Sequence, residues 1–381
     1  MNRTQVSIWK SLEKRLFAKE PYYILTSRVG EQGEGEDTEF FLLYDGDLPV
    51  GRATASVNRA WTEKKGYNLG FINDFIISPD HKEFAGLLIN RCLDALRAKG
   101  VEGAIVRYQS FPALAAQDLN GDVPPLCLPG SPPWYIDLFE KEGFIKYKEW
   151  ANYRMKLPRR IPKEVVDRGK RSVQNREMEI GKINLRNRRE VDEYHDLMDI
   201  ILWNHFGYTP ARFVEREDRR VKHIAFALLA KLLKYRIYVL RDTSGRIVGC
   251  ASFAPNANIA ARRFLNGASR FLPINILKLV GFLISMRRVR RAEIAVIGLV
   301  PEMRGKGFVR LTDAVLWAIV DAGYKELDSG PIRMENSPVI KMVGYVQKKY
   351  GLSPPQHMKY YTLVYWFKDA PKSTPISPPG T

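Results

Sequence analysis

The residues of this 381-residue chain best suited to chemistry form one tight basic glycine turn, Arg304-Gly305-Lys306-Gly307. The turn follows an apolar run, Ile294 to Val300, and leads into a helical pattern that begins at Phe308-Val309. The first N–H groups of a helix have no internal partner, and the helix dipole places partial positive charge there. Gly305 and Gly307 allow close backbone approach and strained dihedrals, while Arg304 and Lys306 add full charges. Such a cradle suits a pyrophosphate. A Walker A loop is excluded, because Gly307 is followed by Phe308 rather than Lys-Ser or Lys-Thr. The dinucleotide fingerprint is excluded because Arg310 stands where a third glycine or alanine is needed. The three cysteines (Cys92, Cys127, Cys250) and five histidines (His81, His195, His205, His223, His357) show no metal-ligand spacing, so no metal is expected. No Ser-His-Asp or Cys-His constellation is visible either.

The elements that position this loop come in two sets. In the first half a helix around Ser7 to Lys19 precedes strands at Phe40–Tyr44 and Val50–Val57, joined by the turn Asp45-Gly46-Asp47. A strand at Leu69–Ile77, a helix at Lys82–Lys99 stopped by Gly100, a strand at Ala104–Arg107, a proline-rich loop, a helix at Tyr135–Glu142 and a strand at Tyr147–Met155 follow. The order recurs after a basic stretch. Strands are expected at Glu179–Leu185, Ile237–Arg241, Ile247–Phe253, Ile294–Val300, Glu326–Ile332 and Tyr360–Phe367. Helices are expected in two stretches before Tyr235, at Phe308–Ala322 and at Asn336–Tyr350. The repeat implies an α/β (α+β) chain of two tandem domains, each a mixed, mostly antiparallel sheet flanked by helices. The expected divisions are 1–157, a basic linker at 158–178, and 179–381.

A hydrophobic content of 45% with 27% charged residues is that of a globular chain. Few, scattered cysteines and an N-terminus without an apolar core fit a reducing, cytoplasmic setting. The net charge of +18 calls for an anionic partner or a solvated basic surface. Twelve Lys or Arg against five Asp or Glu lie between Lys156 and Glu190, and Arg287, Arg288, Arg290 and Arg291 form a second knot. Nucleic acid is disfavoured as partner, since no zinc spacing or interleaved aromatic-basic motif accompanies the charge.

Val300-Pro301-Glu302-Met303-Arg304-Gly305-Lys306-Gly307 resembles the coenzyme A loop of the GNAT superfamily, (Arg/Gln)-x-x-Gly-x-(Gly/Ala). Arg304 and Gly307 match, and Val309 departs from the usual Gly or Ala. The resemblance implies an acyl-CoA-dependent N-acyltransferase, with acetyl-CoA or a longer thioester as co-substrate and an amine as acceptor. It implies that backbone N–H groups of Ile297, Gly298, Leu299 and Val300 meet the acyl carbonyl and pantetheine. Arg304, Gly305, Lys306, Gly307, Phe308 and Val309 would hold the pyrophosphate, with Asn336 beside the pantetheine arm. Glu293 is the candidate base, sharing a strand face with Ala295 and Ile297; the alternative is a surface glutamate paired with Arg290 or Arg291. The position implied for a tyrosine acid is Val343, so Tyr345, two residues on, is the candidate acid with packing as its alternative. The first half resembles a degenerate GNAT domain: its loop Pro79-Asp80-His81-Lys82-Glu83-Phe84 lacks glycines and carries two acids. The whole chain resembles a bacterial double-GNAT group, on Gly51-Arg52, Pro132-Pro133-Trp134-Tyr135 and an apolar insertion. The alternative readings are a catalytically inactive GNAT-like scaffold, or a protein that binds nucleic acid weakly or a membrane surface. The insertion, Phe264 to Ile284, is expected either to cover the core or to form an apolar lid over an acyl site, with Leu279 and Phe282 in a pocket. In the second case Arg287 to Arg291 would touch anionic lipid, making the protein peripheral to a membrane.

Overall fold

The computed structural model describes residues 3–17, 37–59, 68–107, 112–117, 122–125, 128, 130–158, 167, 178–202, 230–232, 234–264, 272–303 and 307–367. The first half contains α1 (Arg3–Phe17), β1 (Asp37–Asp45), β2 (Leu48–Val57), β3 (Leu69–Ile77), α2 (Ala85–Ala98), β4 (Gly103–Val106), β5 (Leu114–Ala115), α3 (Tyr135–Lys141) and β6 (Ile145–Lys156). The second contains β7 (Glu179–Lys182), α4 (Arg188–Leu202), β8 (Arg236–Arg241), β9 (Ile247–Pro255), α5 (Ala257–Phe264), α6 (Leu272–Met286), β10 (Arg291–Leu299), α7 (Phe308–Asp321), β11 (Glu326–Asp328), β12 (Ile332–Arg333), α8 (Ser337–Tyr350) and β13 (Gln356–Trp366).

Local chemistry explains the boundaries. Leu88, Ile89, Cys92, Leu93 and Leu96 bury one face of α2, and Gly100 at φ +73° ends it. A short 3₁₀ helix at Pro79–Phe84 precedes α2 and is capped by the Ser78 side chain. Gly351, at φ +60°, closes α8. The strand expected at 326–332 is broken into β11 and β12 around Gly330, whose φ is +74°. A second helical stretch before Tyr235 falls largely on residues 203–229, outside the described residues.

All thirteen strands join one sheet in the order β1-β2-β3-β4-β13-β6-β11-β10-β9-β8-β7, with β5 on β13 and β12 on β6. Only β3–β4 and β10–β11 are parallel. The closing strands are exchanged. β6 pairs with β11, β12 and β13, all from the second half. β13 pairs with β4 and β5 of the first half and with β6. The cores follow: Met155 of β6 is buried with the second-half core, and Leu363 of β13 with the first. The architecture is that of two tandem mixed, mostly antiparallel sheets fused edge to edge and flanked by helices.

Residues 265–271 of the apolar insertion lie outside the described residues; the rest fall on α5 and α6, which pack together as a hairpin. Phe282 is buried in the hairpin's own small cluster with Ala257, Ala260, Met286 and Val289, while Leu279 is exposed. The lid reading needed both in a pocket. The hairpin satisfies Phe282 internally and leaves Leu279 to solvent.

Candidate functional site

The basic turn follows β10, and the chain around it sets up a fork in the sheet. β10 and β11 pair in parallel only from Arg291↔Glu326 to Glu293↔Asp328. Beyond that point β12 stays with β6, pairing Ile332↔Ala151 and Arg333↔Trp150, while β10 runs on alone along that edge. Gly330 closes the apex, where a Cβ would lie 2.1 Å from the Ile294 carbonyl oxygen. No residue with a side chain fits there.

On its other edge β10 pairs with β9, with a register shift between Ile294 and Val296. Directly paired residues share a face. Glu293 opposite Ala254, Val296 opposite Ser252 and Gly298 opposite Cys250 therefore lie on one side. Ala295 and Ile297 were expected there; the bulge turns Val296 and Gly298 there instead. Val300 donates its N–H to Val248 at 2.9 Å, so it is committed to β9. N–H directions alternate along a strand, which turns those of Leu299 and Ile297 toward the open edge. Of the four expected backbone donors, Ile297 and Leu299 are the two that point there.

The first half has the same fork, and it is filled. Ser78 donates to Val50 at 2.8 Å, the counterpart of the Val300–Val248 bond. The preceding N–H, that of Ile77, donates to the Tyr135 hydroxyl at 3.3 Å. Phe75, Tyr135 and Phe139 pack there as buried rings with centroids 4.8–5.1 Å apart. In the second half, the helix after the fork opens with Asn336-Ser337-Pro338, and Ile294 to Ile297 are only half-buried. The Asn336 side chain makes no capping bond.

Arg304, Gly305 and Lys306 lie outside the described residues. Gly307 begins α7 with φ −113° and ψ −17°. This is not the strained conformation expected of it. The glycine gives room, since a Cβ would lie 2.5 Å from the Leu240 Cδ2 methyl and that side chain would have to shift. Phe308 is half-buried, Val309 is 46% exposed in the first turn, and the Arg310 Nη1 beside it is buried without a hydrogen-bond partner.

Glu293 is fully buried at the fork apex. That removes the surface alternative, and Arg291 binds elsewhere, to Glu326 at 2.7 Å and Asp122 at 3.1 Å. Asp328, opposite Glu293, is also fully buried, and takes Arg154 through Nε at 2.7 Å and Nη2 at 3.1 Å. Asn152 donates to Asp328 at 3.2 Å and accepts from the Gly330 N–H at 3.1 Å. Arg154 also reaches Asp122. Burial pushes the Asp122 carboxyl up, but Arg154, Arg291 and the Val123 N–H outweigh it and hold its pKa below the usual value. The Tyr360 hydroxyl, on β13, is buried without a hydrogen-bond partner. Its burial, with the Glu293 and Asp328 charges, drives its pKa far up. Tyr345 lies apart from this cluster on α8, 46% exposed, with Lys349 Nζ 4.7 Å from its ring centre; Val343, two residues back, packs on the core.

Sequence reasoning missed Asp122, Asn152, Arg154, Asp328 and Arg310. Acids at alternate positions of the short strand Glu326-Leu327-Asp328 were the available signal, because a buried strand carries carboxylates only when they are paired.

No family model matches the chain, and no curated protein matches it. Solved structures do. A tandem GNAT protein of clavulanic acid biosynthesis superposes with a TM-score of 0.52 at 10% identity, covering 97% of this chain and 95% of its own. This chain has the tandem GNAT fold. A GNAT-type glucosamine N-acetyltransferase region of a fungal multi-domain beta-N-acetylglucosaminidase gives 0.51 at 13% identity, over 86% of this chain. The chain spans about a third of that protein, 33% of its length. One fork lies in each half of this fold; among the described residues the first is filled by Tyr135, and no such contact is recorded in the second. Among the described residues no group of acids, histidines and cysteines is arranged to hold a metal.

Proposed function

We propose that the chain is an acyl-CoA-dependent N-acyltransferase whose second half alone takes the thioester. The observation that carries the proposal is the contrast between the forks: the Tyr135 hydroxyl accepts from Ile77 N–H in the first, and among the described residues no side chain accepts from Leu299 N–H in the second. A carbonyl or amide oxygen of acyl-pantetheine would take the place that the phenol takes in the first half. The pyrophosphate would lie at the start of α7, on Arg304 to Val309, where Arg310 adds an unsatisfied donor.

In this reaction a neutral amine attacks the thioester carbonyl, the C–N bond forms, and the C–S bond breaks. Leu299 and Ile297 N–H groups stabilise the oxyanion. The ammonium proton passes to Glu293, and the departing thiolate must gain a proton. Tyr345 is retained as the acid to be tested. If it is, Tyr345→Phe lowers kcat about tenfold or more; a spectator phenol leaves kcat unchanged. The scaffold reading rests on Val309, which departs from the coenzyme A motif, and on Val343, which stands where a phenol is implied. Calorimetry with acetyl-, butyryl- and palmitoyl-CoA tests the proposal directly. One equivalent bound per chain supports it, and no binding of any thioester removes it.

A further inference from the structure

The α5–α6 hairpin carries the most conspicuous unpartnered surface among the described residues. Ile274, Ile276, Leu277, Leu279, Val280 and Ile284 of α6 are 43–69% exposed. At a hundred degrees per residue they sweep more than half of the helix circumference. α5 covers the sector of Phe282 and Met286, with Gly281 and Leu283 at its margins. A helix apolar on nearly all sides is normally buried, and exposed aliphatics at this density mark an interaction site.

Charge decides the partner. From Thr243 to Ala292 the chain has no Asp or Glu, and the hairpin and its root, Asn256 to Arg290, hold seven Lys or Arg. Arg263, Arg287 and Arg288 are exposed at the hairpin's base and flank. A second copy of the chain would bring the same cations against each other with no acid to meet them. Nucleic acid would suit the cations but not six aliphatic side chains. An anionic bilayer suits both: acyl chains for the aliphatics and phosphate headgroups for the arginines. No described helix is long and apolar enough to cross a membrane, so the contact lies in the interface.

We infer that the α5–α6 hairpin docks the protein on anionic lipid surfaces, with the exposed α6 face in the headgroup–acyl boundary and Arg263, Arg287 and Arg288 on lipid phosphates. The inference is independent of acyl transfer, and its test contains no coenzyme A. The full chain is sedimented with vesicles of phosphatidylcholine alone, or with about 30% phosphatidylglycerol added. It pellets with the anionic vesicles only, less so as salt rises. Leu277→Asp with Ile284→Asp, and separately Arg287→Glu with Arg288→Glu, each reduce partitioning about tenfold or more with unchanged melting temperatures. Four results would overturn the inference. These are no vesicle binding, equal binding to neutral vesicles, self-association abolished by the aspartate pair with no vesicle binding, or a fall in melting temperature for that pair, which would mean that the chain covers this face itself.

Discussion

At Gly307 and Val309 the demands of packing and of ligand binding separate. Gly307 abuts Leu240, so Gly307→Glu would disturb the fold as well as any phosphate site. Val309 is exposed in the same turn. A glutamate there favours the helix dipole, so the fold should not suffer, yet it places negative charge where a pyrophosphate would sit. Val309→Glu is expected to weaken acetyl-CoA about tenfold or more in calorimetry, with no loss of melting temperature. The acid cluster gives a second expectation. Asp328 is fully buried against Arg154, and Asp328→Asn leaves a buried guanidinium poorly compensated. A loss of about 3 kcal/mol or more in denaturant unfolding is expected. Asp122 makes the clamp pH-sensitive. Its folded pKa lies below the unfolded value of about 3.9, so its contribution is complete above that value and is lost as pH falls through the lowered one. Acid melting curves from about pH 5 to about pH 2 should therefore flatten in Asp122→Asn.

Between elements, what matters is how two parallel strand pairs part. Both halves use a bulge on the strand that runs past the fork, between Asn73 and Ile76 on β3 and between Ile294 and Val296 on β10. The first fork then closes on Phe75, Tyr135 and Phe139. Tyr135→Phe removes the acceptor from the Ile77 N–H and should cost about 1 kcal/mol. It should not create a second thioester site, because the rings remain. A calorimetric stoichiometry of one per chain in both wild type and variant is the expected result. The sequence made most of these elements legible: β3 falls at Leu69–Ile77, where the apolar run put it, and the Leu88-Cys92-Leu96 spacing marked α2. The bulge at Ala295 was hidden, since a single extra residue leaves the apolar pattern of Ile294 to Val300 intact while reversing the faces beyond it. For that reason Glu293 could be nominated from its place on the strand while its face-mates could not.

Over the whole molecule, the exchange of closing strands determines how the halves depend on each other. It was not legible, because period-two patterning identifies β6 and β13 as strands without naming their neighbours. Arg154 shows the consequence: on sequence it belongs to the first half, and in space it serves Asp328 of the second. Among the described residues of the first half alone, β6 has no partner strand, since β11, β12 and β13 all come from the second. Without the first half, β13 likewise loses β4, β5 and β6. Each isolated half would expose a long unpaired strand and an unsatisfied edge in its sheet, which favours aggregation over folding. The halves 1–157 and 179–381 should therefore fail to fold when expressed separately. A full chain cut at a protease site placed between residues 158 and 178 should stay together, because the exchanged strands hold it. Size-exclusion chromatography of the cut protein should give one species of full mass, and calorimetry one unfolding transition. Two separately eluting folded pieces would mean that each half pairs its own closing strand in solution, and would remove the exchange from the account of stability.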